Sequence, residues 1–65
     1  MELTINGTVE SIAPCTIEQL VRHKGLRVEG LVVEHNLLIV KQPEWADIRL
    51  SEGDTLELLS FVGGG

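Results

Sequence analysis

Sixty-five residues, 43% of them hydrophobic, make one domain with enough apolar material for a core, although so short a chain buries only about 60% of its unfolded surface. One cysteine excludes an internal disulfide, no metal-ligand cluster substitutes for it, and no signal peptide is apparent, so a reducing, cytoplasmic setting is expected. Ten acids against five bases (net charge −5), with one Trp and one Phe, argue against nucleic acid; no apolar run approaches the ~20 residues of a membrane helix, and the excess acid suits either solubility or a partner with a basic docking surface.

Met1 to Ile5 alternates as a strand, and Asn6-Gly7 follows it. That dipeptide is the strongest short hairpin signal, because a type I′ turn needs positive φ at both central residues. Thr8 to Ile12 is then expected to return antiparallel until Ala13-Pro14 breaks the ladder. Thr16-Ile17-Glu18-Gln19 fits a capping box and opens a helix from about Thr16 to Lys24. Cys15 and Leu20 stand at hydrophobic-staple spacing, and Ile17, Leu20 and Val21 form the packing stripe. Arg22, His23 and Lys24 suit the helix C-terminus, with Gly25 and Leu26 as the left-handed stop and its apolar contact. Leu31 to His35 reads as a third strand, Asn36 as a turn, and Leu37 to Val40 as a short fourth strand. Pro43 starts a helical or 3₁₀ turn through Trp45-Ala46, with the tryptophan expected as a lid on the core edge. After turn chemistry at Ser51 to Asp54, the last strand runs Thr55 to Val62.

The order β-β-α-β-β-β predicts an α+β fold of the β-grasp plan: a mixed sheet of four to five strands with one helix packed across it. In that plan the first and last strands lie side by side, in parallel, in the middle of the sheet. Along the last strand, period two sends Leu56 and Leu58 to the helix and Leu59 and Phe61 to the open face. Val32 on the third strand is a candidate to join them, and such a patch marks a contact site.

The last strand runs straight into Gly63-Gly64-Gly65. At ordinary glycine usage a run of three at a given place arises by chance roughly three times in ten thousand. Glycines cost entropy to order and have no side chain to pack, so residues 63–65 are expected as a flexible tail on a domain of residues 1–62. A solubilising end or the stub of a linker would look the same. The functional alternative is that the α-carboxylate of Gly65 reacts. Carboxylates are poor electrophiles and need conversion to a mixed anhydride inside a dry site. Bare backbone slips into a narrow channel, and Phe61 to Gly65 reaches about 14 Å at ~3.5 Å per residue.

With this order of elements and the ending Phe61-Val62-Gly63-Gly64-Gly65, the chain resembles the ThiS family of sulfur carriers in thiamine biosynthesis. The resemblance spans the whole chain, although only the terminus is specific. It implies that a ubiquitin-activating-like enzyme uses ATP and magnesium to adenylate Gly65. Sulfur from a cysteine-desulfurase persulfide would then displace AMP to leave a thiocarboxylate, and thiazole synthase would take that sulfur. The chain itself would be a protein co-substrate and not an enzyme, with no tightly bound cofactor and no metal. Gly64 and Gly65 carry over as the essential pair, Gly63 as a frequent extra glycine, and Phe61 and Val62 as docking residues.

Related readings are the small subunit of molybdopterin synthase and the sulfur carrier of cysteine synthesis. From other classes come a ubiquitin-like covalent modifier and a non-covalent β-grasp binding module. Molybdopterin carriers often end in Ala-Gly-Gly, so Val62-Gly63 leans away from them. Elsewhere the residues have plain explanations. Cys15 reads as a small buried hydrophobe, His23 and His35 as surface histidines, and Glu44, Asp47 and Glu52 as solvated acids.

Overall fold

Two successive left-handed residues, Asn6 (φ 49°) and Gly7 (φ 82°), fold the N-terminus into a hairpin. They join β1 (Glu2–Ile5) to an antiparallel β2 (Thr8–Ser11), as the Asn-Gly turn predicts. This is a computed structural model, and it describes residues 1–61. The expected positions Val62, Gly63, Gly64 and Gly65 lie outside the described residues.

Helix α1 (Ile17–His23) starts where the capping box places it: the Thr16 hydroxyl accepts from the Gln19 N–H at 3.2 Å, and the Gln19 side chain accepts from the Thr16 N–H at 2.9 Å. It stops in a Schellman motif, with Leu26 N–H donating to Val21 C=O and Gly25 N–H to Arg22 C=O. Gly25, at φ +67°, supplies the left-handed residue this stop requires. Ile17, Leu20 and Val21 are all buried against the sheet, each worth up to ~1.5–3 kcal/mol of burial.

Beyond the helix come β3 (Leu31–His35), β4 (Leu38–Val40), a 3₁₀ helix (Gln42–Asp47) and β5 (Thr55–Ser60). The five-stranded sheet has the order β2-β1-β5-β3-β4, with β1 and β5 parallel and the remaining pairs antiparallel. This is the expected mixed sheet with adjacent first and last strands. The helix-side face carries Leu3, Ile5, Val33, Val40, Leu56 and Leu58, all buried.

Four details differ from the sequence expectation. β5 ends at Ser60 and not Val62. Leu37 belongs to the turn, at φ +74°, so β4 begins one residue later, and a side chain that is 84% exposed stands in a backbone region that favours Gly or Asn. Trp45 is not an edge lid: it is 2% exposed, and its indole N–H donates to the Val40 carbonyl at 2.9 Å. That bond lets a polar ring sit inside the core. His35 is no free surface histidine, since its Nε2 lies 2.8 Å from Asp54 Oδ2 with both side chains largely buried.

Candidate functional site

The sheet has one covered face and one open face, and strand alternation decides which side chains reach the open one. β5 is the central strand. Since Leu56 and Leu58 are buried on the helix side, Thr55, Glu57 and Leu59 face the other way. In the register with β3, Val32 lies directly opposite Leu59, and Glu34 directly opposite Glu57. On β4, Ile39 pairs with Glu34 and adds another apolar group, 69% exposed.

The structure therefore brings together three of the anticipated docking residues. Leu59 is 42% exposed, Phe61 is 64% exposed, and Val32, directly opposite Leu59 on β3, is half-buried. Phe61 stands past the end of β5, yet its N–H still donates to the Gly30 carbonyl at 2.7 Å. The chain is thus held to the sheet up to the last described residue, next to the apolar patch. From there residues 62–65 leave the described part of the chain.

At the opposite end of β5 a polar clamp fixes the strand. Asp54 accepts from the Ser51 N–H at 2.9 Å and from Asn36 Nδ2 at 3.1 Å, and it pairs with His35. Asn36 in turn accepts from the Thr55 N–H at 2.9 Å and donates its own N–H to the Thr55 carbonyl at 2.8 Å. Burial alone would raise the Asp54 pKa. The hydrogen bonds from His35, the Ser51 backbone and Asn36, together with the His35 charge, outweigh it and hold the carboxyl below its ordinary value. A second anchor sits mid-strand: Asn6 Oδ1 accepts from the Leu58 N–H at 2.7 Å. The strand that leads to the tail is pinned along its whole length.

Sequence reasoning missed the acid pair. Glu34 and Glu57 stand directly opposite each other, both half-buried. Like charges directly opposite each other across strands are destabilising. Among the described residues no cation lies within 4.0 Å of either carboxylate. Only the register reveals this pair, because 23 positions separate the two residues in the chain.

Other candidates carry less. Cys15 packs half-buried against the core as the staple spacing implied, and an open groove beside it also touches Gln19 and His23. Among the described residues no group of three or more His, Cys, Asp or Glu side chains is placed to hold a metal. Nor is any described helix long and apolar enough to cross a membrane.

Comparison with known proteins assigns the chain to a family. The protein-family model described as the ThiS family matches residues 3–65. The chain belongs to the ThiS family. Among solved structures, the crystal structure of the thiamine biosynthesis protein ThiS from Geobacter metallireducens is similar over 100% of both chains, at a TM-score of 0.86 and 26% identity. A solution structure of a thiamine biosynthesis protein from the same organism gives 0.80 and 28%, over 100% of this chain and 88% of that one. Among curated proteins, a thiazole synthase of Paramagnetospirillum magneticum is 38% identical over 66 residues, and one of Magnetococcus marinus 32% identical over 66 residues. Each match covers 100% of this chain but 20% of the relative, so this ThiS chain spans about a fifth of the length of those thiazole synthases.

Proposed function

We propose that this ThiS-family chain is the sulfur carrier of thiazole formation in thiamine biosynthesis, working in the cytoplasm as a protein co-substrate and not as an enzyme. The observation that carries the reading is the family match over residues 3–65, which runs through the glycine run as well as the globular part. Relatives named thiazole synthase favour the thiamine branch over molybdopterin or cysteine synthesis.

In this reading residues 63–65 form the tail and the α-carboxylate of Gly65 is the reacting group. An oxygen of that carboxylate attacks the α-phosphorus of ATP on an adenylating enzyme, with magnesium, and pyrophosphate leaves. The acyl adenylate is a good electrophile because AMP is a stable leaving group. A persulfide sulfur, such as that of a cysteine desulfurase, attacks the acyl carbon and expels AMP. Cleavage of the sulfur–sulfur bond by a thiol then leaves the thiocarboxylate and a disulfide. Thiazole synthase accepts the sulfur. Thiocarboxylate sulfur is a stronger nucleophile than carboxylate oxygen and keeps sulfide bound to a protein until delivery.

The domain's own part is positional. The Asp54 clamp and the Asn6 anchor fix β5, and β5 sets where Phe61 and the tail begin. Leu59, Phe61, Val62 and Val32 would supply the partner contact. The test is intact mass spectrometry after incubation with the adenylating enzyme, ATP and a sulfur source. One oxygen exchanged for one sulfur, confined to the C-terminal peptide, is expected. Conjugates to lysines of other proteins would favour a covalent modifier instead. Normal thiamine formation by a chain carrying an uncleaved bulky residue after Gly65 would end the carrier reading.

A further inference from the structure

We propose that the Asn6 side chain is a positioning residue for loading of the chain end: it holds the outgoing half of β5 and so sets where Phe61, and the residues beyond it, are presented to the adenylating enzyme. The inference rests on the carrier reading above. Its basis is an unequal hold on the two edges of β5. On the β3 side the ladder runs to the end of the strand, with Leu31 opposite Ser60 and the Phe61 N–H donated to the Gly30 carbonyl at 2.7 Å. On the β1 side it stops early. β1 ends at Ile5 and pairs with β5 over two positions, Thr4 with Thr55 and Ile5 with Leu56, before the chain turns away at Asn6-Gly7.

The Asn6 carboxamide continues that edge by other means. The backbone N–H of Asn6 donates to the Leu56 carbonyl at 2.9 Å. Its side chain then takes both backbone groups of Leu58: Oδ1 accepts from the N–H at 2.7 Å, and Nδ2 donates to the carbonyl at 3.3 Å. One amide thus stands in for the strand residue that would otherwise pair there. The left-handed turn at Asn6, φ 49°, is served equally well by glycine, whereas only the carboxamide serves Leu58. A matched arrangement exists at the other end of the strand. Asn36, also at φ 49°, accepts from the Thr55 N–H at 2.9 Å, where β5 begins. The two asparagines do similar work on β5, but Asn6 alone of the pair acts toward the exit. Without its bonds the segment from Leu58 to Phe61 is held on one edge, by β3. A frayed exit is correctly placed for a smaller fraction of the time, and the apparent affinity for a partner falls by that fraction.

The experiment uses the full chain and the host organism's purified adenylating enzyme, with ATP–pyrophosphate exchange measured against the concentration of this chain. Asn6→Gly, kept folded as read by circular dichroism, should raise KM roughly fivefold or more and leave kcat within about twofold, since the chemistry is unchanged once the end is seated. Amide exchange read by NMR should show Leu58 roughly tenfold or more less protected in that variant. Asn6→Asp keeps the acceptor for the Leu58 N–H and sets a second oxygen against the Leu58 carbonyl, so its KM should fall between those of wild type and Asn6→Gly. Asn36→Gly removes the matching bond at the start of β5; it should melt lower than wild type, with KM within about twofold of it. The inference is overturned if Asn6→Gly has a KM within about twofold of wild type. It is also overturned if Asn36→Gly raises KM as much as Asn6→Gly does, because general loss of stability would then suffice. A wild type that supports no exchange ends the carrier reading and this role with it. Wild-type exchange beside an unchanged KM for Asn6→Gly removes the role of Asn6 alone.

Discussion

Replacing Asp54 by Ala should loosen the strand that carries the tail. The carboxylate accepts from the Ser51 N–H and Asn36 Nδ2 and pairs with His35, whose side chain is 19% exposed against 13% for Asp54 itself. Hydrogen bonds to a charged group contribute about 1.5–3 kcal/mol each when buried, and water recovers part of that at a partly open site. These three share one carboxylate and do not add, so a loss of about 2–3 kcal/mol is expected. For a chain of this length total stability is on the order of 3–10 kcal/mol. At about 4–8 °C per kcal/mol the melting temperature should fall by roughly 10–20 °C, read by far-UV circular dichroism or Trp45 fluorescence. The pH dependence is a second test. The folded carboxyl has a pKa below its ordinary 3.8, so its contribution is fully present above that value and disappears as pH falls through the folded pKa. Wild type and Asp54→Asn should therefore converge in stability as pH approaches about 2. An Asp54→Ala protein melting within about 3 °C of wild type at neutral pH would refute the clamp. So would a wild-type advantage over Asp54→Asn that persists undiminished in acid.

Leu37→Asn should raise the urea midpoint by an equivalent of ~0.5–1 kcal/mol, because it relieves a left-handed leucine that is 84% exposed and has little packing to lose. Phe61→Glu should leave the melting curve unchanged, since Phe61 is 64% exposed. On the proposed carrier function, affinity for the adenylating enzyme should drop by about 2 kcal/mol, that of a lost aromatic anchor, and unfolding would instead place Phe61 in the core. Thr16→Ala removes half of the capping box and should cost about 1 kcal/mol in denaturant titration, with the Gln19 N–H left without its acceptor.

Local chemistry was legible in the chain itself. Asn6-Gly7 needs left-handed backbone, Thr16 and Gln19 cap each other, and Gly25 ends the helix, all through partners within a few residues. Alternation along residues 55–61 likewise separated Leu56 and Leu58, which are buried, from Leu59 and Phe61, which are exposed. The glycine run is also a property of sequence. Tertiary structure decided whatever depends on which strands become neighbours. His35 and Asp54 are 19 residues apart and meet only because β3 lies beside β5. Trp45 lies in the core with its N–H donated to the Val40 carbonyl, a partner that the fold puts in place. Glu34 and Glu57 oppose each other through ladder register, and a slip of one residue would have sent them to opposite faces. Short-range preferences are written residue by residue, whereas register is set by the packing of the whole sheet, so electrostatics across strands are fixed only once the fold is.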